Sequence, residues 1–200
     1  TKSSYIEILN STLDYIYGGG YAGDILENTQ ILIDNDSTIN VNLYGGGENG
    51  NILGSTNILI NDITLYGNLY GGGYAGNVLG DSTITFNNGI VHNNIYGGGF
   101  AGTINNTSLL ITDKNPMTFA NNDSKINIYG NVFGGGEGET ATVNLSTNVI
   151  IDLNLDMNVT EQHIVGDAIS GKSEIEYSFN NEYSTIMGSV YGGGDLGQVG

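Results

Sequence analysis

The sequence predicts an all-β fold: a parallel β-helix (β-solenoid) assembled from repeats of about 26 residues, each carrying a Tyr/Phe-Gly-Gly-Gly corner. Three observations support this. An aromatic residue followed by three glycines recurs at Tyr17, Tyr44, Tyr70, Tyr96, Phe133 and Tyr191, so the triplets open at Gly18, Gly45, Gly71, Gly97, Gly134 and Gly192. The spacings are about 27, 26, 26, 37 and 58 residues. Between the triplets, stretches such as Ile58-Leu59-Ile60 and Thr83-Ile84-Thr85-Phe86 alternate with the period of a strand, and nothing recurs with a helical period. The composition agrees, with 33 glycines to a single proline and apolar residues in short β-branched runs such as Val149-Ile150-Ile151.

The two cleanest units, Asn51 to Gly76 and Asn77 to Gly102, align without gaps. Both open on Asn-(Ile/Val)-Leu-Gly, carry alternating apolar positions in the middle (Ile58 and Ile60; Ile84 and Phe86), and close on Asn-(Leu/Ile)-Tyr-Gly-Gly-Gly-(Tyr/Phe)-Ala-Gly. A unit of this size holds about three short strands and cannot bury its own apolar face. Stacking units about 4.8 Å apart builds a continuous core and pairs each strand with its counterparts in the units on either side. A propeller is the alternative, but its blades need about 40 to 50 residues. A collagen helix is excluded because the glycines cluster instead of recurring every third residue.

Charge narrows the partners. Four lysines, no arginine and 21 acids give a formal net charge of −17. Nucleic acid is not expected, since phosphate binding needs a basic face. Docking on anionic lipid is disfavoured for the same reason. No apolar run approaches the roughly 20 residues of a membrane helix, so no membrane insertion is expected of this segment. With no cysteine in the chain, disulfides and thiolate metal sites are excluded.

The repeat resembles the right-handed β-helix and β-solenoid repeats of bacterial surface proteins, adhesin stalks and some carbohydrate-active proteins. The resemblance is architectural and covers nearly the whole chain. It implies an extracellular, cell-surface location and transfers no catalytic residue. Lyases of that architecture usually take a proton with Arg or Lys. Here arginine is absent and the lysines are Lys2, Lys114, Lys125 and Lys172, which weakens a lyase reading.

Several motifs admit a structural and a functional reading. Gly71-Gly72-Gly73-Tyr74-Ala75-Gly76 matches a Gly-x-Gly-x-x-Gly dinucleotide fingerprint, as do the segments beginning at Gly18, Gly45, Gly97 and Gly192. Each is followed by a β-type run instead of the helix that would hold a pyrophosphate, so no nucleotide cofactor is expected. The glycines are expected to supply positive φ at a tight corner and close approach between units. The aromatics Tyr17, Tyr44, Tyr70, Tyr96, Phe133 and Tyr191 should form a ladder. Because Leu43, Leu69 and Ile95 precede the tyrosines, alternation places the rings at an exposed face or corner. The ladder is therefore either an internal brace or a contact surface for sugar rings. Asn68 and Asn94 hold equal positions and suggest a short amide ladder. His92 and His163 are expected at the surface. The residues after the triplets (Tyr21, Glu48, Tyr74, Phe100, Glu137, Asp195) do not make a carboxylate column, although isolated calcium sites on loops stay open.

The array is expected to run over residues 1–200 as one unit, a fragment of a longer protein, interrupted at 113–124 and 152–183. The second interruption carries Glu174 and Glu176, which share one strand face and form the best local acidic pair for a metal such as Ca2+. Neither end shows a capping element, which suggests pairing with neighbouring repeats or with other copies end to end, as a filament. The expected function is a non-enzymatic structural or adhesive segment of an exported bacterial surface protein. The alternative is a carbohydrate-binding or carbohydrate-cleaving β-helix using exposed tyrosines and acidic insertion residues, with a polysaccharide or a host surface ligand as partner.

Overall fold

The computed structural model describes residues 1–113, 125–153 and 184–199. The expected interruptions at 113–124 and 152–183 therefore lie, apart from their first residues, outside the described residues. Among the described residues the chain is all-β and contains no helix. The first unit contributes β1 (Ser4–Leu9) and β2 (Thr12–Tyr17), and the second β3 (Thr29–Asp34) and β4 (Ser37–Tyr44). Three strands then form per unit: β5 (Thr56–Ile60), β6 (Ile63–Leu65) and β7 (Leu69–Tyr70); then β8 (Ser82–Phe86), β9 (Gly89–Val91) and β10 (Ile95–Tyr96). The next is β11 (Thr103–Thr112), β12 (Ile126–Ile128) and β13 (Val132–Phe133). The last comprises β14 (Thr142–Asp152), β15 (Thr185–Ile186) and β16 (Val190–Tyr191), followed by β17 (Gln198–Val199).

These strands make two sheets in which every pairing is parallel and joins one unit to the next. The seven-stranded sheet runs β1-β3-β5-β8-β11-β14-β17, and the ten-stranded sheet β15-β12-β9-β6-β4-β7-β10-β13-β16, with β2 paired to β4. The register reproduces the repeat: Ile31 faces Ile58, Ile58 faces Ile84, and Ile84 faces Leu109. A one-residue slip would turn every core side chain outward, so the alternating pattern itself specifies this register. Between Ile104 and Asn106 the pairing of β11 with β14 shifts register, an irregularity of the bulge kind.

The main core lies between inward faces of both sheets. Ile33, Ile60, Phe86 and Ile111 from the first sheet meet Ile39, Leu65, Val91 and Ile128 from the second, all fully buried. A satellite column of Ile25, Ile52, Val78 and Ile104 forms a separate buried cluster, with isolated parallel bridges from Ile25 to Ile52 and from Ile52 to Val78. The corner between β3 and β4 is made by Asn35 and Asp36, at φ of 57° and 54°. Asn and Asp are the non-glycine types that tolerate the left-handed region most readily, and the Asn35 N–H donates to the preceding Asp34 carboxylate at 2.7 Å.

The glycine triplets correct one expectation. Gly89, at φ of 122°, is the one positive-φ glycine among the described residues, and it lies outside the triplets. The parallel ladder instead continues straight through each triplet: Gly45 N donates to Tyr70 O at 2.9 Å and Gly46 N to Gly72 O at 3.0 Å. What excludes a side chain is proximity. A Cβ on Gly46 would lie 2.7 Å from Gly73 N, and one on Gly98 would lie 2.7 Å from Gly136 N. On Gly18, Gly45, Gly71, Gly97 and Gly134 it would run into the carbonyl of the opening glycine of the following triplet. Gly192 has nothing within 4 Å of such a Cβ.

Candidate functional site

The aromatic ladder exists, and its four central rings are internal. Successive rings of Tyr17, Tyr44, Tyr70, Tyr96, Phe133 and Tyr191 stack with centroids 4.6 to 5.1 Å apart and planes within 9°. Tyr44, Tyr70 and Tyr96 are at most 2% exposed and Phe133 is 5% exposed; Tyr17 is half-buried, and Tyr191 is exposed. Of the two readings left open, the internal brace describes the four central positions. Alternation does send Leu43 and Tyr44 to opposite faces, but the residues after the triplets come back over the tyrosine face. Tyr74 meets Tyr44 edge-on at 5.9 Å, and Phe100 meets Tyr70 edge-on at 6.3 Å. Sugar stacking needs a free ring face, and at Tyr44, Tyr70, Tyr96 and Phe133 both faces are taken by the next ring on either side.

A column of asparagines fixes these rings. Asn42, Asn68, Asn94 and Asn131 each accept, at their side-chain oxygen, the backbone N–H of the equivalent residue one unit on (Asn68, Asn94, Asn131 and Ser189) at 2.7 to 2.9 Å. The amide nitrogens of Asn42, Asn68 and Asn94 donate to the hydroxyls of Tyr44, Tyr70 and Tyr96 at 2.9 to 3.1 Å. The anticipated Asn68–Asn94 ladder is therefore a relay from backbone to side chain to ring, not amide upon amide. Tyr70 also donates to the Glu137 carboxylate. Burial pushes the Tyr44 and Tyr70 hydroxyls well above the usual phenol range, the Glu137 bond and charge adding to the effect at Tyr70. Burial, reinforced by the Glu137 charge, pushes Tyr96 up to about 12.

A second set of polar groups escaped the sequence reading. Ser4, Thr29, Thr56, Thr107 and Thr147 each donate a hydroxyl to the carbonyl of a triplet's opening glycine, at Gly18, Gly45, Gly71, Gly134 and Gly192. Ser82 holds the equivalent place and is buried with no hydrogen-bond partner among the described residues. The signal was present as a hydroxyl residue two positions before Ile31, Ile58, Ile84 and Leu109. It was hidden by the abundance of Thr and Ser elsewhere.

Outside the core, one aromatic column reaches solvent. Tyr66, His92 and Tyr129 stack at 4.7 and 5.2 Å with planes within 10°. Tyr66 is 51% and Tyr129 46% exposed, and His92 is exposed as expected. They follow Leu65, Val91 and Ile128, whose side chains face the core, so alternation sends these three outward. The rings cover one another's faces and present hydroxyls and imidazole nitrogens along an edge. This column can donate and accept hydrogen bonds at regular spacing.

The acids gather at corners. Asp36 N donates to the Asp62 carboxylate at 3.3 Å, and Asn88 Nδ2 donates to it at 3.2 Å. Burial, followed by a hydrogen bond to Asp36 and the charges of Asp36 and Asp34, pushes the Asp62 carboxyl up to about 6. Because the folded chain holds this proton more tightly than the unfolded chain, the stabilisation is present below about pH 4. It is lost as pH rises through about 6. Asp62→Asn, which copies Asn88 in the next unit, is expected to raise the melting temperature at pH 7 by about 2 °C and to leave it unchanged near pH 4. Thermal melts of both proteins across that range measure it; an equal effect at both pH values would contradict the shared-proton account.

Among the described residues no group of three or more His, Asp or Glu could hold a metal ion. Glu174 and Glu176, the acidic pair expected to bind one, and His163 lie outside the described residues. Asp113, at the edge of the first interruption, is buried and accepts a hydrogen bond from Ser184 Oγ at 2.9 Å. No helix among the described residues is long and apolar enough to cross a membrane. In comparisons with protein families, curated proteins and solved structures, no family model, curated protein or solved structure matches this chain.

Proposed function

We propose that the chain is a non-enzymatic structural segment, a parallel β-solenoid serving as rod or stalk in an exported bacterial surface protein. The observation that carries this reading is the use made of the polar side chains. Column by column, the side-chain oxygens of Asn42 to Asn131 are spent on the neighbouring unit, and the stacked rings spend their faces the same way, while the hydroxyls of Thr29 and Thr56 brace a strand against the glycine triplet of the same unit. Such an arrangement resists separation of units along one axis, as a load-carrying spacer requires. The surface location rests on the resemblance of the repeats to bacterial surface solenoids.

The solenoid reading makes units interchangeable. Deleting residues 51–76 brings Asn77 to the place of Asn51, Val78 to that of Ile52, Ile84 to that of Ile58 and Tyr96 to that of Tyr70. The shortened chain is expected to keep its β-type circular dichroism and a cooperative melt, with its long dimension in small-angle scattering reduced by about 5 Å. Loss of the fold would sink the solenoid reading.

A second reading, carbohydrate binding, is favoured by the exposed Tyr66–His92–Tyr129 edge. Glycan arrays and reducing-end assays with and without calcium separate the two. Binding abolished by Tyr66→Ala and Tyr129→Ala would favour the second reading, and turnover of a polysaccharide would overturn the first.

A further inference from the structure

We infer that Asn49 is a site of spontaneous covalent modification, deamidating through a succinimide while the chain is folded. The sequence contains two Asn-Gly pairs, Asn49-Gly50 and Asn88-Gly89. Asparagine is among the thermolabile residues, and a following glycine offers a backbone nitrogen that no side chain shields. The reaction needs that nitrogen free to attack the side-chain carbonyl carbon.

The two pairs are held very differently. Gly89 N donates to Lys125 O at 2.9 Å, so the would-be nucleophile is engaged. The Asn88 amide is pinned at both ends: Nδ2 donates to Asp62 at 3.2 Å, and Oδ1 accepts from Lys125 N at 2.7 Å. At the other pair, the Asn49 side chain is exposed and takes part in no hydrogen bond among the described residues; Asn49 is held by its backbone N–H, bonded to Tyr21 O at 2.9 Å. Gly50 N likewise donates to no acceptor among the described residues, although its neighbour Asn51 N is bound by the Asp24 carboxylate at 2.9 Å.

In the step itself, Gly50 N loses its proton to hydroxide, giving water, and bonds to Cγ of Asn49; water then returns a proton to Nδ2, so that the Cγ–Nδ2 bond breaks to release ammonia and hydroxide is regenerated. Water then opens the ring. Cleavage at the side-chain carbonyl leaves aspartate at position 49; cleavage at the main-chain carbonyl leaves isoaspartate. The first product adds a negative charge beside Glu48 and near Asp24. The second inserts a methylene into the backbone at position 49, next to Gly50, where a Cβ would already run into Gly23 O, and where Gly50 O would itself meet a Cβ on Gly76.

The full-length chain is incubated in mildly alkaline buffer, folded and in concentrated urea, and digested for mass mapping of both pairs, with a chemical readout of isoaspartate. In urea both asparagines should react alike. In the folded chain Asn49 should react about tenfold or more faster than Asn88, since three hydrogen bonds must open at Asn88. Asn49→Gln should remove the mass gain from its peptide and leave the melting temperature unchanged. Equal rates in the folded chain, faster reaction at Asn88, or a folded Asn49 that stays intact while both react in urea would each overturn the inference.

Discussion

Gly72→Val is expected to destabilise the fold by about 4 kcal/mol or more, lowering the melting temperature by about 10 °C or more. A Cβ at this position would lie 2.6 Å from Ile104 Cδ1 and 2.9 Å from both Gly99 N and Gly99 Cα. The side chain of Ile104 can yield, but the Gly99 backbone cannot, because its unit is bonded on both sides. Gly72 N itself donates to Gly98 O at 3.1 Å, and Gly72 O accepts from Gly46 N at 3.0 Å, so moving position 72 strains two unit boundaries together. Gly23→Ala is the matched control: a Cβ there meets nothing within 4 Å, and the change should stay within about 0.5 kcal/mol. Chemical denaturation of the three proteins measures both effects. Equal tolerance at the two sites would show that close approach is not why the triplets are glycine.

Tyr70→Ala is expected to cost about 4 kcal/mol, and Tyr70→Phe about 1–2 kcal/mol. Truncation to alanine opens a gap in the middle of the column, removing ring contacts at 4.6 Å to Tyr44 and 5.1 Å to Tyr96. Removal of the hydroxyl alone leaves the ring stack whole but deprives the Asn68 amide of its acceptor and the Glu137 carboxylate of a donor. The chain already makes this substitution at Phe133, where a ring without a hydroxyl stacks at 4.9 Å on both Tyr96 and Tyr191. Equilibrium unfolding of the pair of variants separates ring from hydroxyl. If both variants matched the parent, the column would be an accessory to a fold held elsewhere.

Of the fold, the repeat and its alternation were legible because strand periodicity is a local property. Ile31, Ile58 and Ile84 could be aligned by counting, and they pair in that alignment. The ladder Tyr17 to Tyr191 was legible as a ladder for the same reason. Its direction stayed open because alternation assigns a residue to a face without saying what covers that face. Tyr44 and Tyr66 show the difference. Both lie opposite a core leucine, Leu43 and Leu65, yet Tyr44 is roofed by Tyr74 while Tyr66 stands in solvent beside His92. The outward column of Tyr66, His92 and Tyr129 was missed because its members differ in type and fall in units of unequal length.

By itself, then, the sequence determined the strand periodicity, the unit boundaries, the acidic and cysteine-free character, and the positions where glycine recurs. Those follow from local sterics and counting. Only the tertiary structure decided that the triplets are glycine for want of space instead of for positive φ. It alone decided that Tyr44, Tyr70 and Tyr96 are internal, and which of two Asn-Gly pairs leaves its backbone nitrogen unengaged among the described residues. Each of these depends on atoms about 26 or more residues away, brought within a few ångströms by parallel pairing. No local propensity encodes a distance of that kind.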